Sequence, residues 1–140
     1  MTRAFDSVSV GDALPEVGKV ATREDIAAYA EVSGDRNPLH LYDEHAQDRG
    51  FDGVIAHGMF TMAHLTTALT GWAGDAGSLV RMKANFRAAV RVGDEMVAGG
   101  TVSALDDARR VAKLDVWVKV DRDGETEFAI RRSQAEVQLS

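Results

Sequence analysis

The chain contains no cysteine, which excludes disulfides, thiolate metal sites and a cysteine nucleophile in one step. It has no stretch near the roughly 20 uninterrupted apolar residues of a membrane span. Its start, Met1-Thr2-Arg3-Ala4-Phe5-Asp6, lacks the apolar core of a secretion signal. A cytoplasmic location is therefore expected. Positive charge is in deficit: 16 Lys and Arg stand against 22 Asp and Glu, leaving a net charge of −6. The chain as a whole repels a polyphosphate backbone, so nucleic acid is not an expected partner. Internal repeats, low-complexity runs and linkers are also lacking.

The 140 residues present, 45% of them apolar, suffice for one domain around one core spanning 1–140. The first half reads helical. Thr22, with Asp25 three residues on, has the form of a capping box, and Ile26, Tyr29, Ala30 and Ser33 follow at helical spacing. Pro38 then breaks the pattern and leaves Asp35 and His40 on an irregular segment. From Met59 to Trp72 the residues Met59, Phe60, Met62, Ala63, Leu65, Ala68, Leu69 and Trp72 leave no polar face, so this helix is expected to be buried.

The second half changes to a period of two. Val80, Met82, Ala84 and Phe86 alternate with Arg81, Lys83, Asn85 and Arg87 as in a half-buried strand. Leu114, Val116, Val118 and Val120 repeat the pattern, as does the run from Phe128 to Leu139, with Met96 to Leu105 a weaker strand. Turns at Val92-Gly93-Asp94, Asp106-Asp107 and Asp121-Arg122-Asp123-Gly124 favour hairpins. The expected fold class is α+β, an antiparallel meander wrapped on one buried helix.

The chemistry concentrates in Ser33-Gly34-Asp35-Arg36-Asn37-Pro38-Leu39-His40 and in Ile55-Ala56-His57-Gly58-Met59. A carboxylate, an imidazole and a helix-opening glycine are the parts needed to add or remove water at an activated double bond. One group moves protons, a second holds the water, and a fixed donor meets the developing negative charge. The Gly58 N–H at the start of the buried helix suits that last task, since glycine permits close approach and the helix dipole adds to it. The four histidines show neither His-x-x-x-His nor His-x-x-Glu spacing, so no metal and no cofactor are expected.

With Tyr29 as the leading aromatic and Asp43 and Ala46 as its tail, this constellation resembles the signature of the MaoC-like, R-specific enoyl hydratase and dehydratase family. Within that family, the run through Met59 followed by Thr61-Met62 is similar to catalytic subunits of actinobacterial R-hydroxyacyl carrier-protein dehydratases. The resemblance implies a hotdog fold and a homodimer, or a heterodimer with a related subunit, whose active site lies where two subunits meet. It implies that Asp35 and His40 hold a water and shuttle its proton, acting on an enoyl thioester of coenzyme A or of acyl carrier protein.

The other residues carry weaker expectations. Asn37 and His57 are candidates for substrate contact alongside Gly58, with bracing of the loop by Asn37 and fixing of the turn before Gly58 by His57 as the alternative, expected roles. Thr66 falls where relatives often place a small hydroxyl, although a helical threonine commonly bonds its own backbone. His45 and His64 match no functional position and are expected to be structural. Phe51, Phe60 and Trp72 are candidates for setting acyl-tunnel depth, with core packing as their alternative. Two rival functions remain open: an acyl thioesterase, and a subunit that needs a partner for activity.

Overall fold

The computed structural model describes residues 2–140. Helix α1 (Arg23–Ser33) begins where Thr22 Oγ1 accepts the Asp25 N–H at 3.1 Å and ends at Gly34, whose φ of 79° is the left-handed turn that glycine adopts without strain. Pro38 then opens a single 3-10 turn, Pro38–His40, capped by Asn37, and α2 (Asp43–Asp48) follows. Helix α3 (Gly58–Ala73) is the long one. It packs against the sheet strands on one side.

Five strands form one antiparallel sheet: β1 (Val17–Val20), β2 (Leu79–Lys83), β3 (Glu95–Asp106), β4 (Val111–Arg122) and β5 (Glu125–Gln138). Their spatial order is β1-β3-β4-β5-β2. The β4–β5 hairpin turns through Asp123 and Gly124, both at positive φ, as a tight turn matched to the strand twist requires. Along β4, Ala112, Leu114, Val116, Val118 and Val120 are buried against α3, while Lys113 and Asp115 are exposed. Leu65 and Leu69 of α3 meet Met96, Leu114 and Ile130 in the same core. Each such side chain stabilises the fold by about 1.5–3 kcal/mol through its removal from water.

Four features differ from the sequence expectation. The alternation through Phe86 does not continue as a strand: β2 stops at Lys83, and Phe86 makes one isolated bridge to Ile130. As an edge strand, β2 leaves Val80 49% exposed, and Phe86, beyond its end, is exposed to the same degree. Only β3-β4-β5 is a meander, because β2 crosses to the far side of β5; the Val92-Gly93-Asp94 turn leads into β3 without joining neighbours. Helix α3 is buried on one side only, with Met59, Ala63, Thr67 and Gly71 exposed in a stripe four residues apart, since one five-stranded sheet covers one side of a helix. Finally, β1 is an unanticipated short edge strand; all its residues are exposed, so it carries no burial period to detect.

Two glycines let β3 lie close to β4. A Cβ on Gly99 would come within 2.5 Å of the Trp117 ring, and one on Gly100 within 2.5 Å of the Asp115 carbonyl oxygen. The first obstacle is a side chain that can shift; the second is backbone. Gly100→Ala should therefore lower stability by roughly 1–3 kcal/mol, the usual range for overpacking, and by more than Gly99→Ala. Urea unfolding of the two variants checks this, and equal midpoints for Gly100→Ala and the parent chain would refute the close approach.

Candidate active site

The loop after α1 is built by side chains bonding nearby backbone. Ser33 Oγ accepts the Asp35 N–H at 3.1 Å, Asp35 Oδ1 accepts the Asn37 N–H at 3.2 Å, and Asn37 Oδ1 accepts the Leu39 N–H at 3.0 Å. This relay of short polar side chains is what such residues do best outside helices. It turns the chain so that the His40 and Asp35 side chains face one another, with His40 Nε2 3.9 Å from Asp35 Oδ2. That gap exceeds a hydrogen bond. The imidazole is 11% exposed and the carboxylate 56%.

Two backbone carbonyls orient the imidazoles. A carbonyl only accepts, so the 2.7 Å contact between His40 Nδ1 and the Ile55 oxygen assigns the hydrogen to Nδ1. In the neutral ring, Nε2 then presents a lone pair towards Asp35. By the same logic His57 Nε2–H donates to the Asp35 carbonyl at 2.9 Å. Its Nδ1, buried, has no hydrogen-bond partner among the described residues. The two rings stack at 3.7 Å and 24°, and Tyr29 meets the His57 ring edge-on at 4.9 Å. The signature tyrosine is therefore a wall for His57.

Helix α3 opens here. His57 is its N-cap and no side chain caps it; the first N–H groups of a helix, Gly58's among them, have no intrahelical partner. A hollow of about 260 Å³ at this end is lined by His40, Gly58, Thr61, Phe86, Arg87 and Val90 among others. A Cβ on Gly58 would lie 3.2 Å from the Phe86 ring, so the missing side chain keeps the helix end open.

The fold thus gathers Asp35, His40, His57 and Gly58, and leaves Asn37 as the brace of their loop. Thr66 donates to its own helix at the Ala63 carbonyl, 3.0 Å away, and does not line this hollow. His64 donates to the Val17 carbonyl at 2.9 Å, tying α3 to β1. Phe60 is a core residue with 8% exposure, and Trp72 packs at the far end of α3 beneath Arg3. Sequence reasoning assigned no role at the site to Thr61, Phe86 or Val90, and left Arg87, with Arg81, Lys83 and Asn85, open between solvated face, interface and a track for a phosphate-bearing donor. Thr61 stands one turn after Gly58, a signal that was readable; the Phe86–Val90 lining comes from a non-regular stretch brought over by β5. Asp35, His40 and His57 also hold potential metal-ligand atoms within 4.8 Å of one another, a convergence that no linear spacing displays.

Residues 9–123 match the MaoC like domain. The chain belongs to this dehydratase-domain family. It is 35% identical over 127 residues, 86% of its length and 80% of the relative's, to a 3-hydroxybutyryl-CoA dehydratase of Methylorubrum extorquens. It is 32% identical to an (R)-specific enoyl-CoA hydratase of Rhodospirillum rubrum over 72% of this chain and 70% of that one. Among solved structures, an (R)-hydratase from A. caviae involved in PHA biosynthesis superposes with a TM-score of 0.85 at 28% identity, covering 96% of this chain and 98% of that one. A MaoC-like dehydratase gives 0.89 at 34% identity over 99% of this chain, which spans 43% of that longer chain. The fold is accordingly the hotdog.

Asp43, in the tail of the signature, holds the site's second wall. Its Oδ1 accepts the Val54 N–H at 2.9 Å, and Arg23 donates to both carboxylate oxygens at 3.0 Å. The Val54 N–H, and after it Arg23, lower the Asp43 carboxyl below its ordinary value. A lowered folded-state value means that stabilisation is full above the ordinary aspartate range and is lost as pH falls through the lowered value. The stability difference between the parent chain and Asp43→Asn should therefore shrink on acidification. Thermal unfolding over a pH series checks this; a difference that stays constant to the most acidic pH at which both fold would refute it.

Proposed function

We propose that this chain catalyses the R-specific addition of water to trans-2-enoyl thioesters and its reversal, the dehydration of R-3-hydroxyacyl thioesters, in fatty acid metabolism. The chain is a lyase of the hydratase and dehydratase class, and the family supports hydration and dehydration of thioesters. The observation that carries the finer reading is the pair of unshared acceptors, Asp35 Oδ2 and His40 Nε2, facing one another across 3.9 Å beside the uncapped start of α3.

Two acceptors at that spacing suit one water that donates a hydrogen to each. In hydration, the water oxygen attacks the β carbon as the pair takes its proton; the α carbon gains a proton as the thioester carbonyl reforms from its enolate-like state. The Gly58 N–H and the α3 dipole oppose the negative charge that grows on the thioester oxygen. His57 acts through position: it holds the Asp35 carbonyl and backs the His40 ring.

The hollow opens beside Phe86 and the uncovered β2 edge. A second hotdog subunit, identical or related, placed against that edge would close the site. Sedimentation of the pure chain should give a dimer, and a monomer that dimerises only with a related subunit would assign it to a heterodimer.

Asp35→Asn and His40→Gln should each fold normally and lose roughly 10²-fold or more in rate, the scale of a positioned acid or base. The test is loss of enoyl absorbance from crotonyl-coenzyme A, with chiral analysis of the product. Near-normal activity in both variants would refute the assignment. Release of free thiol in place of the R-hydroxyacyl thioester would make the chain a thioesterase.

A further inference from the structure

The outward face of β5 carries a strained, deliberately braced feature that the hydration chemistry does not use. On β4, Val116 and Val118 pair with Ser133 and Ile130, so Trp117 alone stands opposite both Arg131 and Arg132. This is a β-bulge. Arg132 adopts φ 51°, the left-handed region that a non-glycine residue occupies only under constraint. The constraint is visible. Asn85 Nδ2–H donates to the Arg132 carbonyl at 2.7 Å, and the Asn85 N–H donates to Ser133 Oγ at 2.8 Å. Ser133 Oγ–H donates in turn to the Arg131 carbonyl at 3.1 Å. Ser133 is fully buried.

The bulge interrupts the strand's alternation, so two consecutive arginines are both exposed. Both line a hollow of about 370 Å³ with Arg87 and Phe128. Among the described residues, no carboxylate pairs with Arg87, Arg131 or Arg132. In a chain with a net charge of −6, three unpaired guanidinium groups in one hollow mark a place for an anion.

This hollow adjoins two others. Arg87 also lines the hollow beside His40 and Gly58. Phe128, Arg131 and Arg132 also line a wider one, of about 660 Å³, with Trp117 and Lys119. There the Trp117 and Phe128 rings meet edge to face at 6.2 Å, with the Arg131 guanidinium over Phe128 at 4.9 Å and Lys119 over Trp117 at 5.2 Å. Among the described residues, Asp115 is the one carboxylate lining it. Two strand spacings, about 10 Å, separate the Arg87 segment from β4. A continuous track therefore runs from the reaction site, across the unpaired arginines, to an aromatic and cationic platform.

We infer that Arg87, Arg131 and Arg132 bind the phosphates of coenzyme A and that Trp117 and Phe128 receive its adenine, which makes coenzyme A the donor for this site. The inference rests on the thioester reading above. Coenzyme A matches the track in order: an uncharged arm near His40, phosphates at the arginines, and a flat base at the aromatic pair, where base stacking is sequence-independent and favourable. The phosphopantetheine arm of a carrier protein carries a phosphate but no base, and would leave Trp117 and Phe128 without a ligand.

Calorimetric titration of adenosine 3′,5′-bisphosphate into the parent chain and into the Arg131→Gln/Arg132→Gln variant tests the site without turnover. The bisphosphate should bind the parent and bind the variant at least about tenfold more weakly, the loss expected for two charge-assisted contacts. In parallel, the ratio of kcat/KM for crotonyl-coenzyme A over crotonyl-pantetheine should fall about tenfold in the variant. Equal bisphosphate binding by both proteins, or none by the parent, overturns the inference. So does a variant defect confined to a crotonyl carrier protein. Weakened bisphosphate binding without hydration of any enoyl thioester upholds the nucleotide site and removes the hydratase reading. Should circular dichroism show the double variant misfolded, Arg87→Gln, outside the strands, carries the same comparison.

Discussion

Two imidazole rings stacked face to face hold the geometry on which the rest of the site depends. His40 reaches across to the Ile55 carbonyl and His57 reaches back to the Asp35 carbonyl. Each ring therefore belongs to one irregular segment and grips the other. Neither segment has a ladder of its own to keep it in place, and each hydrogen bond satisfies a carbonyl that would otherwise go unpaired. The grip also sets orientation. By spending Nδ1–H on Ile55, His40 turns Nε2 towards Asp35, and by occupying the Asp35 backbone, His57 fixes the residue whose carboxylate completes the pair. Tyr29 closes the stack from the side of α1.

The supporting shell works from both ends of this clasp. Asp43 ties the Val54 N–H to Arg23 on α1, so the segment leading to Ile55 and His57 is anchored before it reaches the site. On the opposite wall, Arg122 joins Asp94, Glu127 and the Ala89 carbonyl, fixing the end of β4 to the stretch that lines the hollow. Asp94 above all holds the Arg122 guanidinium even more firmly in its charged form. The sheet adds its own device, a bulge in β5 that places charge on the outer face without disturbing the buried one. Ala129 and Ile130 stay in the core while Arg131 and Arg132 turn out. Helices and strands are thus arranged around one opening at the start of α3, and the bulge faces the hollows beside it.

Much of this was legible beforehand. The capped start of α1, the break at Pro38, the long apolar helix and the β3, β4 and β5 strands follow from period and turn chemistry, and Asp123-Gly124 marks its hairpin directly. The failures have physical causes. β1 buries nothing and so leaves no pattern. β2 is an edge, where alternation persists beyond the last ladder bond and misstates its length. The apolar character of α3 indicates a helix to be covered on all sides, yet one chain supplies a sheet for one side only.

By itself, the amino-acid sequence determined the family and marked the candidate site residues, because about a dozen residue types at set spacings form its signature, and the loop they encode is held by bonds between near neighbours. It also determined the α+β class, since a change from helical to alternating period is a local property. Only the tertiary structure decided the stacking of His40 on His57, the His40 tautomer that the Ile55 carbonyl sets, the approach of Phe86 to Gly58 and the gathering of Arg87, Arg131 and Arg132. These contacts join segments far apart in the chain. Such contacts are set by strand order and by one extra residue in a ladder, and neither leaves a periodic trace in sequence.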